Sequence, residues 1–126
     1  MTILIARTAT GSSERRELVQ AMLSWASLAR RASGAVEVRL CEDLEEPGIY
    51  CLTSKWESAS ALDAHLAGPD FGVLLGALAV LGRETRFDVA SRDADGEDAL
   101  LLIRRARARH NGSPLSGEAP GDPAGP

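Results

Sequence analysis

Along residues 1–91 the chain switches repeatedly between a polar–apolar alternation of period two and the wider spacing of an amphipathic helix. Residues 2–8 (TILIART) are β-branched and run into Thr10-Gly11-Ser12, which predicts a strand and a turn. Leu18, Met22, Trp25 and Ala29 then recur at helical intervals, a stripe that must pack on something. Ser12 or Ser13 is placed to cap this helix, and Glu14 and Glu17 suit the positive end of its dipole. Arg30 and Arg31 suit the other end, and Gly34 is placed to stop the helix. Val36, Val38 and Leu40 alternate with Glu37 and Arg39 and mark a second strand. After the turn Glu46-Pro47-Gly48, residues 49–56 form a third, with Tyr50, Leu52, Ser54 and Trp56 on one face.

Ser58 is placed to cap a short helix over 59–66, which ends at Gly68-Pro69. A further helix over 70–81 carries Phe71, Leu74, Leu75 and Leu78 on one side. Val73, Ala77 and Val80 make its other side apolar too, so burial from two directions is expected. Residues 83–91 read as a fourth strand with Thr85, Phe87 and Val89 on a shared face. The order β-α-β-β-α-α-β predicts an α+β fold with a ferredoxin-like, antiparallel sheet. Helices cover one face of that sheet, and no element remains for the other. A homodimer packed sheet against sheet is the expected solution. Residues 1–92 form this domain. A helical extension follows over 93–110, with its helix at 95–110, acidic first and basic last. The Gly-, Pro- and Ser-rich residues 111–126 are expected to be disordered.

Composition narrows the classes. A chain of 126 residues suits one domain, and a net charge of -4 argues against a general nucleic-acid role. No charged-then-apolar leader opens the chain and no apolar run approaches the ~20 residues of a membrane span, so a soluble cytoplasmic protein is expected. Cys41 and Cys51 fall on strands expected to pair. They lack metal-ligand spacing and read as two reduced thiols, with a disulfide as the alternative. There is no GxSxG, GxGxxG or P-loop, which removes the commonest nucleophilic and nucleotide-binding classes. The arginines of 104–109 are either a solvated face or a contact for an acidic partner.

Candidate chemistry centres on residues 55–71 (KWESASALDAHLAGPDF). His65 flanks the apolar face of its helix and has the one side chain there that titrates near neutrality. Two readings are open for it, a proton-transfer group or a hydrogen-bonded structural histidine. Trp56 likewise either walls an aromatic ligand or packs the core. Arg86 and Arg7 on other strands are candidates for holding an anionic oxygen. No His, Cys or acidic cluster stands at ligand spacing with His65, so no metal is expected.

With these residues in place, the chain resembles the antibiotic biosynthesis monooxygenase (ABM) family, from Ile3 to about Ser91. The most specific part is W-E-S-x-x-x-L-x-A-H-x-x-x-P-x-F, here Trp56 to Phe71. The resemblance implies a ferredoxin-like dimeric α/β barrel and, in some members, oxygenation of quinols, anthrones and other aromatic phenols without metal or flavin. Carried over, Trp56 and His65 are the catalytic candidates, Trp56 positioning the ring and His65 lining the pocket or assisting proton transfer. Tyr50, Ser54, Phe71, Leu74 and Arg86 form the expected substrate-binding set, Arg86 as an anion stabiliser. Many members carry an acidic residue in place of Ser54 and a histidine in place of Asp70. The implied reaction is a cofactor-independent monooxygenation of a small aromatic substrate by O₂. The alternative is a non-catalytic dimeric domain that binds an apolar ligand or a partner protein.

Overall fold

The computed structural model describes residues 1–91 and 99–112. Strands β1 (Thr2–Ala9), β2 (Ala35–Glu42), β3 (Ile49–Trp56) and β4 (Arg83–Ser91) form one antiparallel sheet in the order β2-β3-β1-β4. Helices α1 (Arg15–Ala29), α2 (Ala59–Leu66) and α3 (Pro69–Leu81) lie on one face. This is the ferredoxin-like α+β arrangement that the order of elements implies. The second unit of the chain begins at Ala94, and its described part is helix α4 (Ala99–Gly112). Of the helix expected over 95–110, residues 95–98 lie outside the described residues, as do 113–126 of the expected disordered tail.

Alternation decides which side of each strand is dry. Thr2, Leu4, Ala6 and Thr8 of β1 and Tyr50, Leu52, Ser54 and Trp56 of β3 are buried against the helices. The α1 stripe of Leu18, Met22, Trp25 and Ala29 is buried with them, together with Leu62 from α2 and Phe71, Leu74 and Leu78 from α3. The intervening residues Ile3, Ile5, Cys51, Thr53 and Lys55 face the uncovered side and are half-buried.

Several local expectations are corrected. Glu14, not a serine, is the N-cap of α1, and the Ser13 hydroxyl donates to the Glu14 carboxylate at 2.6 Å instead. The helix ends at Ala29, before Gly34, and the Arg30 guanidinium turns back to donate to the Val38 carbonyl at 3.1 Å. Ala35 pairs with Trp56 and Glu37 with Lys55, so Val36 is the extra residue of a bulge and leaves the Val38–Leu40 face. α3 is buried on one side only. Phe71, Leu74 and Leu78 point inward while Val73 and Val80 are 73% and 80% exposed, because the other elements of this unit pack on one side of that helix. β4 shares its helix-side face as expected, Thr85 bonding Thr8 hydroxyl to hydroxyl at 2.9 Å. On this outer strand Phe87 and Val89 stay exposed.

The β2–β3 turn forms as Pro-Gly chemistry requires. The Ile49 N–H donates to the Glu46 carbonyl at 3.2 Å, and Gly48 has φ +93°, the type II geometry with Pro47 at the first central position. Gly34 has a different task. With φ +83° it lies where α2 crosses the start of β2, and its carbonyl accepts the Glu57 N–H at 2.8 Å. A Cβ there would stand 2.5 Å from the Cβ of Ala61. We expect Gly34→Ala to cost at least about 1–2 kcal/mol in urea unfolding, from the left-handed backbone alone. The added clash should be relieved in the Gly34→Ala/Ala61→Gly double variant. Equal losses in the single and double variants would show that the contact with α2 contributes nothing.

Candidate functional site

The end of β3 and the start of α2 place the two residues that the motif singles out. The Ser58 side chain accepts the Ala61 N–H at 3.1 Å and starts α2, which sets Leu62 and His65 three residues apart on its inner face. Both are buried, His65 with 8% of its surface exposed. His65 therefore points into the core.

Three rings enclose the imidazole. Trp56 stacks on it with centroids 4.7 Å apart and planes 28° apart, and Phe71 meets it edge-on at 5.8 Å. Trp25, from the middle of α1, lies at 6.0 Å with planes tilted by 50°. Its indole N–H donates to His65 Nε2 at 3.0 Å. Trp56 is 0% exposed, and its own N–H donates to the Ser54 hydroxyl at 2.9 Å. Ser54, fully buried where many family members have a carboxylate, thus anchors the Trp56 ring.

The Trp25 bond fixes the protonation state. An indole nitrogen only donates, so Nε2 must present its lone pair and the proton of the neutral imidazole belongs on Nδ1. Burial pushes the His65 pKa below its ordinary 6.5, opposed by the charge of Asp70. An imidazolium would also lose the Trp25 bond, since both of its nitrogens would be donors. His65 is consequently a neutral hydrogen-bond donor through Nδ1, and its basic nitrogen is already engaged. The residue borders an open depression of about 220 Å³, lined also by Ala32, Ser33, Ala61 and Asp70.

The remaining sequence candidates divide. Phe71 belongs to the cluster and extends it, its ring meeting Phe87 of β4 edge-on at 6.2 Å. Leu74 is buried one turn further along the same side of α3. Tyr50 shares the face of Trp56 but stands six residues away along β3, about 20 Å at the rise of a strand. There, burial first and Glu42 second push its pKa up, and it takes no part in the His65 cluster. Arg86 pairs with Arg7 in the sheet register, on the face opposite Trp56 and His65, so neither arginine reaches the imidazole. Trp25 and Phe87 are the cluster members that sequence reasoning missed. Trp25 was hidden in a helical stripe that core packing explains equally well. The signal available was that each buried indole N–H needs an acceptor. Among the described residues, no group of three or more His, Cys, Asp or Glu side chains is arranged to hold a metal ion.

The depressed His65 pKa makes stability depend on pH. Near and below 6.5 the unfolded chain binds the proton that the folded chain refuses, so stability rises with pH across that range. The contribution is complete above 6.5 and drains away as pH falls from there towards the lower folded value. We expect urea midpoints to fall between about pH 7 and about pH 5.5, and to fall less in His65→Gln, whose amide oxygen can still accept from Trp25. Parallel profiles for the two proteins would contradict a buried neutral imidazole.

Comparison with known proteins agrees with this architecture. A Deinococcus radiodurans protein named as a candidate antibiotic biosynthesis monooxygenase superposes with a TM-score of 0.72 at 22% identity, covering 78% of this chain and 98% of its own. Rv0793 from Mycobacterium tuberculosis gives 0.69 at 21% identity, covering 76% and 98%. A further protein, solved as an antibiotic biosynthesis monooxygenase, gives 0.67 at 17% identity, covering 74% and 99%. At these identities the likeness is one of fold. No curated relative matches the chain in sequence. The sequence profile of the antibiotic biosynthesis monooxygenases matches residues 1–74, more than half of the chain and the part that contains Trp25, Trp56, His65 and Phe71. The chain belongs to the antibiotic biosynthesis monooxygenase family.

Proposed function

We propose that this protein is a monooxygenase that oxidises a planar, electron-rich quinol, anthrone or related phenolic substrate with O₂, using no metal or flavin. The observation that supports it best is the neutral His65 imidazole, boxed by Trp25, Trp56 and Phe71 and retaining one N–H to donate. Family membership supplies the reaction class.

Triplet O₂ reacts slowly with closed-shell molecules, but a phenolate or carbanion can hand it an electron. The protein then has to favour the anion, exclude water and hold the reacting carbon in place. For an anthrone, a ring CH₂ proton is lost to bulk water before the rings are enclosed, and the enclosed carbanion reduces O₂ by one electron. Recombination forms a C–O bond, and the hydroperoxide loses water to leave a ketone. One oxygen atom stays in the product and the other departs as water. His65, with Nε2 committed to Trp25, acts in this scheme by donating Nδ1–H to the substrate oxyanion, not by removing a proton. Phe87 and Val89, exposed on the helix side of β4, offer apolar surface for the rings, and buried Phe71 links Phe87 to the His65 cluster.

A second reading has its own support. Trp56 is fully buried and bonded to Ser54, as a core residue would be, which favours a non-catalytic domain that binds an apolar ligand. Oxygen uptake by metal-free protein with a panel of quinols and anthrones separates the two. On the enzyme reading, uptake exceeds the uncatalysed rate and drops about 10²-fold in His65→Ala, the usual effect of losing one oxyanion donor. Absence of uptake, with tryptophan fluorescence quenched by the same compounds, would select the binding domain. Neither uptake nor quenching would overturn both.

We also infer a homodimer formed through the uncovered sheet face. Ile3 and Ile5 are half-buried in the middle of that face, beside Thr53, and the three helices of the same unit all lie on the other face. Sedimentation equilibrium should give a two-chain particle, and Ile5→Arg should shift it to one chain with an unchanged circular dichroism spectrum. A wild-type protein that sediments as a single chain at all concentrations would refute the dimer.

A further inference from the structure

The chain has two cysteines, and folding puts them directly opposite each other. Cys41 of β2 pairs in register with Cys51 of β3, both are free thiols, and both project from the uncovered face. The row continues across the sheet into Arg7 and Arg86, one step beyond the row that holds Ile5 and Thr53. Core packing within the chain does not account for the pair, because Cys41 is exposed and Cys51 only half-buried. Cys41, on the outer strand β2 two residues before the hairpin turn, lies at the margin of the face through which the dimer is inferred to form. For a cysteine outside the core, reactivity is the property that decides its worth. A metal role lacks donors, since no third His, Cys, Asp or Glu is gathered with the pair among the described residues.

We propose that Cys41 and Cys51 form a reversible cross-strand disulfide, with hydrogen peroxide or another hydroperoxide as the oxidant. The backbone allows it. The hairpin is closed by the Asp43 N–H donating to the Ile49 carbonyl at 2.8 Å, two residues beyond the cysteines on each strand. By the alternation of antiparallel ladders, Cys41 and Cys51 are then also a hydrogen-bonded pair, with Cα atoms about 5.5 Å apart. That value lies inside the range disulfides span. Cβ atoms of a hydrogen-bonded pair stand near the far end of the range of about 4.5–5.5 Å for opposed residues, whereas a disulfide needs about 3.5–4.5 Å, so the strands must draw together by about 1 Å or more. β2 is an outer strand, paired among the described strands with β3 alone, which leaves its other side free to shift. The strain left in the bond is what makes it easy for a thiol reductant to reopen.

The chemistry balances without any further partner. The more exposed Cys41 attacks the peroxide O–O bond, giving a sulfenic acid and one water. The Cys51 sulfur then displaces hydroxide from that sulfenic acid, and the hydroxide leaves as a second water once protonated. Two thiols and one hydrogen peroxide become one disulfide and two waters.

The test uses the full chain, reduced and freed of reductant, then treated with hydrogen peroxide. Free thiols should fall from two to none per chain, the intact mass should drop by two hydrogens, and dithiothreitol should reverse both. Glu42, Glu45 and Glu46 lie between the cysteines, so a glutamate-specific protease under non-reducing conditions should release two peptides joined through Cys41 and Cys51. Cys51→Ser should stop at a Cys41 sulfenic acid that a cyclic diketone captures. Disulfide formation in the wild type should slow at least tenfold in unfolding concentrations of urea, where the strand register is lost. Thiols that persist, sulfinic acid at either position, links only between chains, or an equal rate in urea would each overturn the proposal.

Discussion

An imidazole enclosed by hydrocarbon has to give up its charge, and one enclosed by rings also has to find something for its lone pair. Here the indole of Trp25 meets the second demand, and the rest of the site follows from that. With Nε2 occupied, His65 cannot serve as the base that its position in the motif suggests, and its remaining polar atom is a donor. In the proposed reaction the cluster therefore stabilises a developing negative charge and does not abstract a proton.

The same contact ties the layers together. Trp25 comes from the middle of α1, His65 from α2, Phe71 from the first turn of α3 and Trp56 from the last residue of β3. Four elements therefore meet around one ring. α2, only eight residues long, is held against the sheet by this cluster and by the close approach of Ala61 to Gly34. A short helix has little stability of its own, so its geometry is set by what it packs on.

Much of this was legible from residue pattern, and the failures have definite causes. Half-buried strands announce themselves by alternation, and the α1 stripe by its helical interval, because each buries one face. Val36 was misplaced because a bulge inserts one residue and breaks the period that the reading relies on. α3 was expected to be covered on both sides because apolar residues surround it, yet composition does not say where neighbouring layers stop. Arg86 is expected in the site, yet Thr85, Phe87 and Val89 share one face of the same strand, and in the structure that face is the helix side. Alternation alone puts Arg86 on the other side. Trp25 was the deepest omission, since a long-range hydrogen bond across 40 residues leaves no periodic trace.

The order β2-β3-β1-β4 leaves two free sheet margins, and the residues on them bear on how copies of this protein can aggregate. β4 carries Arg83, Glu84, Arg86 and Asp88 among its nine residues, and Glu84 breaks its backbone into the left-handed region at φ +52° beside an irregular stretch of pairing. β2 carries Glu37, Arg39 and Glu42 together with its own bulge. Charge and kinks of this kind deny an incoming strand a straight row of backbone donors and acceptors. Fibrillar growth of the folded chain by adding strand to strand at these margins is thereby disfavoured.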